Sequence, residues 1–450
     1  MVLRNTEVFL NTQFIGVLSL HKQNKLSFEY DGGYANNPRS IPLSYSMPLS
    51  QRLHKDTTVR NFLWGLFPDN DKVLREWARE LQVTVSHPYD LAVGIGHDFA
   101  GAIYFGNPSK AESDLHHYGE PELIELLDRL VSNPARSRAN FPQGRFSLAG
   151  AQTKTALRKV GKEWYLPAGL EPTTHILKPM VATHPDDYAY NEHYCHSLAK
   201  GVGMQVARSQ VELMGEHTVL VSERYDRFKL PDGRLIRLHQ EDVCQAMGVH
   251  PSEKYESEGG LGVAEIMKLL LSAKDGRRAR ERFMDAILFN YLIMGTDAHA
   301  KNYSLIYGRN GDFTLAPLYD LSSYLPYVSQ RKDERLAMRI GKDYKDRSIL
   351  RGNFVMLCKQ CNYPEKQLFS QANAMIEKLE SEVPKLEPEL AKQECWNSTL
   401  AKLSELILER TKMARSMFSG YFFTAHGAFQ PYPGHSGGDP VPSAHGERLL

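Results

Sequence analysis

The 450-residue sequence predicts an α+β protein in which β-rich units come first and a helical lobe follows. Three observations carry that expectation. Short apolar-polar alternations recur up to about residue 223, apolar residues at helical spacing dominate from residue 240 to about Ser419, and a polar run from Ser132 to Asn140 separates a first unit from the rest.

Taken in order, Glu7 to Leu20 alternates on both sides of the turn-like Asn11-Thr12-Gln13, and Leu26–Tyr30 and Leu43–Met47 read as further strands. Val59, Phe62, Leu63, Leu66 and Phe67 then recur at helical spacing, as do Val73, Leu74, Trp77, Ala78 and Leu81 behind a cap at Asn70 or Asp71. A helix from Pro121 to Val131 closes this unit, assigned to residues 1–135. A sheet with one helix is expected over 136–240: strands at Lys154–Val160, Glu163–Leu166, Thr174–Lys178 and His217–Glu223, and a helix near Asp187–Lys200 stopped by Gly201. Residues 241–428 read as an all-α lobe, with helices at Gln240–Met247, Val263–Leu271 and Arg277–Met294 and three long ones running to Ser419. Pro431, Pro433, Pro440 and Pro442 among Gly, Ser and His predict a disordered tail over 429–450.

Composition narrows the function. Lys plus Arg number 54 against 53 Asp plus Glu, a net charge of +1, so no global field attracts polyanions or an anionic membrane. The five scattered cysteines form no disulfide framework, no secretory signal opens the chain, and no apolar run approaches the ~20 residues that span a bilayer. A cytoplasmic protein with no membrane partner is expected. Cys358-Lys359-Gln360-Cys361 lacks the second pair of a zinc site, and Gly434-His435-Ser436-Gly437-Gly438 lies in the Pro-rich segment without the strand and helix of a nucleophile elbow.

The chemistry concentrates in Gly295-Thr296-Asp297-Ala298-His299-Ala300-Lys301-Asn302, between an apolar helix and a strand. An Asp followed five positions later by Asn, with Asp320 beyond a strand-turn-strand, is the spacing by which protein kinases place a base and two Mg²⁺ ligands. Asp and Asn also make ordinary capping turns. Lys178 ends a strand ahead of a helix bearing Glu192, and kinases pair such a strand Lys with a helix Glu. Ser147 to Lys154 is rich in small residues whose amides could approach phosphate oxygens, although a plain hairpin turn has the same composition.

These segments together resemble the HipA family of bacterial serine/threonine kinase toxins: SLAGAQTKTAL (147–157), PTTHILKP (172–179), ERYDR (223–227), HQEDVCQAMG (239–248), GTDAHAKNYSL (295–305) and LAPLYDLS (315–322). The likeness runs from about residue 5 to about 415, in the family's order. It implies a two-lobed protein-kinase-like fold with a small N-terminal β-rich subdomain, using ATP and Mg²⁺. It implies Asp297 as catalytic base, Asn302 and Asp320 as metal ligands, and Lys178 on the nucleotide phosphates. It further implies Ala149, Gly150, Ala151, Gln152, Thr153 and Lys154 as the phosphate loop, Glu223, Arg224 and Tyr225 as the adenine hinge, and His299 and Tyr319 as nucleotide contacts. Ser147 matches the family's self-phosphorylated position, whose modification expels the loop. Tyr225 stands where some members have Phe. The implied partners are a helix-turn-helix antitoxin, operator DNA through that antitoxin, and an aminoacyl-tRNA synthetase as substrate. Two rivals are a phosphotransferase with a non-protein acceptor and a catalytically silent corepressor; the intact Asp297, Asn302 and Asp320 speak against the second.

Overall fold

In the computed structural model the described residues are 1–84, 87–133, 147–150, 152–181, 187–328, 334–419, 421–423 and 429–431. Strands β1 (Val2–Leu10), β2 (Gln13–His21), β3 (Leu26–Tyr30), β4 (Leu53–Lys55) and β5 (Ile103–Phe105) form an antiparallel sheet in the order β4-β3-β2-β1-β5. Gly16 is required where β2 meets β3, because a Cβ there would lie 2.2 Å from the Glu29 carbonyl oxygen. The short α1 (Gly32–Ala35) follows β3, and α2 (Asp56–Gly65), α3 (Asp71–Glu80) and α4 (Pro88–Ile95) cover the sheet. The Asn70 carboxamide oxygen caps α3 by accepting from the amides of Lys72 and Val73, as its position predicts. Phe28, Phe62, Phe67, Trp77 and Phe99 fill the core.

Leu43–Met47 is not a strand. The Tyr30 hydroxyl donates to the Met47 carbonyl (2.6 Å) and accepts from the Leu43 amide (2.7 Å), so a side chain satisfies the groups a neighbouring strand would have paired. Only a Ser44–Met47 bridge around a turn remains.

The second sheet joins β6 (Asp114–Tyr118), β7 (Thr155–Val160), β8 (Glu163–Ala168), β9 (His175–Pro179), β10 (Ser209–Met214) and β11 (His217–Glu223) in the order β10-β11-β9-β7-β8-β6. Helix α5 (Glu120–Ser132) packs Leu123, Leu126, Leu127 and Leu130 against Leu157, Trp164, Leu177 and Val221 of this sheet. The boundary expected at residue 135 is therefore corrected: β6 and α5 belong to the second unit, and the first ends between β5 and β6. Most of the polar run thought to mark the boundary, 134–140, lies outside the described residues. Helix α6 (Tyr188–Gly201) follows β9 and sends Tyr194, Cys195 and Leu198 into the core of the helical lobe.

That lobe is α-rich, not all-α. After the hairpin β12 (Arg227–Lys229) and β13 (Leu235–Arg237), it contains a three-stranded sheet of β14 (Gln240–Asp242), β15 (Ser304–Tyr307) and β16 (Phe313–Leu315), then the hairpin β17 (Arg335–Ile340) and β18 (Asp343–Lys345). The helix expected from Gln240 begins only at α7 (Val243–Met247), because Gln240–Asp242 pairs with β15 and the Asp242 carboxylate accepts from the Gln245 amide as N-cap. The other helices are α8 (Val263–Leu269), α9 (Gly276–Ile293), α10 (Arg351–Cys361), α11 (Glu365–Ala391) and α12 (Ser398–Ser419). Two strands end the described chain, β19 (Tyr421–Phe423) and β20 (Phe429–Pro431), so the expected tail opens with a paired strand; residues 432–450 lie outside the described residues. All five cysteines are free and buried, and no described helix is long and apolar enough to cross a membrane.

Candidate active site

A cleft of about 490 Å³ opens where the second sheet and the helical lobe meet Gly65 at the end of α2 and Ala100 of the first unit. On its sheet side Lys178, from β9, sits 2.7 Å from Glu192 of α6 and also ion-pairs with Asp320. Burial alone would strip the Lys178 proton; the Asp320 and Glu192 carboxylates outweigh it and hold the ammonium charged. Burial likewise opposes ionisation of Asp320, and Lys178 and Lys154 overcome it. Asp320 has φ 53°, a left-handed backbone that Asp tolerates better than most residues.

The small-residue loop lies beside this pair. Ala149, Gly150, Gln152 and Lys154 line the cleft, Thr153 faces a side pocket next to Lys178, and Ala151 lies outside the described residues. Gly150 has φ +104°, a backbone conformation that favours glycine, and a Cβ there would come within 2.7 Å of Lys154 Nζ. Burial pushes the Lys154 pKa down to about 8. Ser147 is not in the cleft: its side chain is buried, its hydroxyl donates to the Leu66 carbonyl (2.7 Å) and its amide to the Asp98 carbonyl (2.8 Å). The Asp69 amide donates to the Gly150 carbonyl (3.2 Å), so the first unit grips both ends of this short segment.

The three residues expected as the hinge lie at the cleft. Glu223 and Tyr225 line the cleft, the Tyr225 ring stacks on Tyr319 (5.7 Å, 27°), and the Tyr225 hydroxyl donates to Gln240 Oε1 (2.5 Å). Arg224 lines the cleft as well, with its guanidinium bonded to Asp226, the Thr173 hydroxyl and the Phe99 carbonyl, within a buried network where Arg227 and Arg237 pair with Asp98. Burial would raise the Asp98 carboxyl, but Arg227, Arg224 and Arg237 hold it well below its usual range.

On the opposite wall α9 ends at Met294 in the left-handed region, and the loop after it enters the cleft. Asp297, His299, Lys301 and Asn302 all line it. The Asn302 amide nitrogen donates to the Asp297 backbone carbonyl (2.7 Å), which leaves its Oδ1 with no donor among the described residues. The Tyr319 hydroxyl donates to the Lys301 carbonyl (2.7 Å) and accepts from Ser304. His299 is buried, which lowers its pKa, and its Nε2 is 3.9 Å from Asp297 Oδ1.

Sequence reasoning missed several residues here. Asp69 pairs with Lys254 (2.9 Å) and Lys301 (3.1 Å), Asp242 sits 3.7 Å from Lys301, and the Tyr255 hydroxyl donates to Asp297 Oδ1 (2.5 Å). Lys301 and Asp242 lie inside the motifs that carry the family likeness; Asp69 lies between two helical patterns and Lys254-Tyr255 in an irregular stretch, where neither periodicity nor spacing points to them.

The fold and this cleft together define a two-lobed, kinase-like α+β protein. Residues 146–386 match the family model described as the HipA-like C-terminal domain, and residues 6–106 match the HipA N-terminal domain. The chain belongs to the HipA family. It is 34% identical over 352 residues to the protein named "Putative kinase Y4mE" of Sinorhizobium fredii, covering 76% of this chain and 82% of that one. It is 30% identical over 354 residues to the serine/threonine-protein kinase toxin HipA of Shewanella oneidensis, covering 75% and 79%. It also resembles the solved complex of Shewanella oneidensis HipA, HipB and operator DNA, with a TM-score of 0.78 and 25% identity over 92% of this chain and 98% of that one.

Proposed function

We propose that the protein transfers the γ-phosphoryl group of ATP to a serine or threonine hydroxyl of another protein, as the toxin of a toxin–antitoxin pair. One observation carries the reading: the Lys178–Glu192 pair and the residues Asp297, Asn302 and Asp320 line a single cleft from opposite walls. Lys178, Lys154 and the amides of 149–154 would hold the phosphates, and Glu223 to Tyr225 with Tyr319 and His299 the nucleoside. The acceptor hydroxyl gives its proton to the Asp297 carboxylate as its oxygen bonds the γ-phosphorus, and ADP leaves. Asn302 Oδ1 and the Asp320 carboxylate are hard oxygen donors of the kind that would hold Mg²⁺. When bound, the metal would neutralise charge on the phosphates.

The near-neutral chain supports contact with DNA through a partner, and the similar HipA was solved with HipB and operator DNA; a helix-turn-helix antitoxin and, through it, operator DNA are the partners proposed, in the cytoplasm. An aminoacyl-tRNA synthetase is the proposed substrate. Ser147 is the proposed self-phosphorylation site and off switch: a phosphoserine of about −1.5 to −2 charges could not return to the buried seat against the Leu66 carbonyl.

Labelled ATP, Mg²⁺ and a cell lysate test the reading. Labelled protein should form with the native chain and not with Asp297→Asn, and overexpression should arrest growth only with the native chain. Arrest by both would favour the corepressor reading. Mass spectrometry should find phosphate on Ser147 of active protein alone, and that form should bind ATP poorly.

A further inference from the structure

The Asp297 carboxylate is 56% exposed, so burial does not hold its orientation. Its loop secures the backbone instead: the Asp297 carbonyl accepts from Asn302 Nδ2 and from the His299 amide (2.8 Å). The carboxylate itself receives a single close donor among the described residues, the Tyr255 hydroxyl at 2.5 Å from Oδ1; His299 at 3.9 Å is beyond hydrogen-bond reach.

Tyr255 is well fixed for such a task. Its ring meets His299 edge-on at 4.9 Å, and its carbonyl accepts from the amides of Glu258 (3.0 Å) and Gly260 (3.1 Å) in the tight turn that follows. Gly260 permits that turn, since a Cβ would lie 1.9 Å from the Glu253 carbonyl oxygen. The preceding Lys254 is clamped twice, its carbonyl accepting from the Ala300 amide (3.3 Å) and its ammonium pairing with Asp69. Burial first, and then the Asp297 carboxylate, raise the phenol pKa, so the hydroxyl remains a donor at any physiological pH.

We propose that Tyr255 is a positioning residue for Asp297, its hydroxyl occupying Oδ1 so that Oδ2 is presented to the acceptor hydroxyl. This rests on the phosphotransfer reading above. The rival geometry is obstruction, in which the phenol takes the place that the acceptor hydroxyl needs. Removing only the hydroxyl separates the two, because positioning predicts a slower enzyme and obstruction a faster one.

The test is Tyr255→Phe in the full chain, with initial rates of labelled phosphate transfer to lysate protein measured across ATP concentrations, and ATP affinity and thermal unfolding measured in parallel. A misaimed base costs up to about 100-fold, so the maximal rate should fall about 10- to 100-fold with the KM and Kd for ATP unchanged. In an Asp297→Asn background the same change should have no further effect, which a merely structural role for the phenol would not produce. An unchanged or increased rate in Tyr255→Phe overturns the inference while leaving the phosphotransfer reading intact; absence of transfer by the native chain overturns that reading, and this inference with it.

Discussion

The two walls of the cleft are built on opposite principles. On the sheet wall the buried Lys178 and Glu192 and the half-buried Asp320 form an ion cluster in which the two carboxylates hold the lysine charged, while burial raises the Glu192 carboxyl. On the loop wall Asp297 faces solvent and is steadied by one hydrogen bond from a neutral phenol. Buried charge gives rigidity and strong attraction for phosphate but resists change of protonation; an exposed carboxylate can accept and release a proton on every turnover. The contrast suits the roles proposed above, a wall that holds and a wall that reacts.

The largest way to break that contrast is to disable the reacting wall alone. Asp297→Asn should lower transfer by about 10²–10⁴-fold, the usual worth of a general base, while calorimetry finds ATP affinity nearly unchanged. The holding wall should respond in the opposite manner. Lys178→Met leaves the buried Glu192 without its cation, which should cost about 3–5 kcal/mol in denaturant unfolding as well as ATP binding. Adding Glu192→Leu should recover part of the stability and none of the binding.

Asp69 sharpens the comparison, because it reaches the reacting wall from the first unit. Burial would raise its carboxyl, but Lys301 and Lys254 hold it ionised. Asp69→Asn should loosen both lysines and lower stability by about 1–3 kcal/mol, with a fall in transfer rate larger than any change in ATP affinity.

The smallest expected effect is a pH effect at Lys154. With its pKa pushed down to about 8, this lysine is charged below that pH and neutral above it, so ATP affinity should weaken severalfold as pH rises from 7 to 9. Above pH 8 the arriving phosphates should draw a proton back onto it, measurable as buffer-dependent binding heat, and Lys154→Met should show neither behaviour. A flat affinity profile in the native chain would remove Lys154 from the phosphate site.

What could be read from the sequence follows the range of the interactions involved. Lys178 and Glu192 are 14 residues apart on a strand and the next helix, and Asp297 and Asn302 share one loop, so spacing sufficed to bring them together in thought. The fate of the Arg224 guanidinium depends on Phe99, 125 residues away, and that of Leu43–Met47 on a single tyrosine hydroxyl; periodicity carries no trace of either. The first unit was drawn too long because α5 is amphipathic in the same way whichever sheet it covers. Asp69 and Tyr255 are silent for the same reason: an acid in a turn and a tyrosine in an irregular loop acquire meaning only from the lysines and the aspartate that folding sets against them.

Ser147 has a consequence in time. Its hydroxyl has no solvent access and is spent on the Leu66 carbonyl, so no reagent, whether this cleft or another enzyme, can reach it until the segment detaches from the first unit. The observed speed of any reaction there is the fraction of molecules open multiplied by the speed of the open form. Two hydrogen bonds anchor the residue, each worth about 0.5–1.5 kcal/mol, so a small repacking beneath Leu66 would lengthen or shorten the wait by roughly tenfold. In the switch proposed above the first unit would thereby act as a latency element, setting how long each molecule stays unmodified.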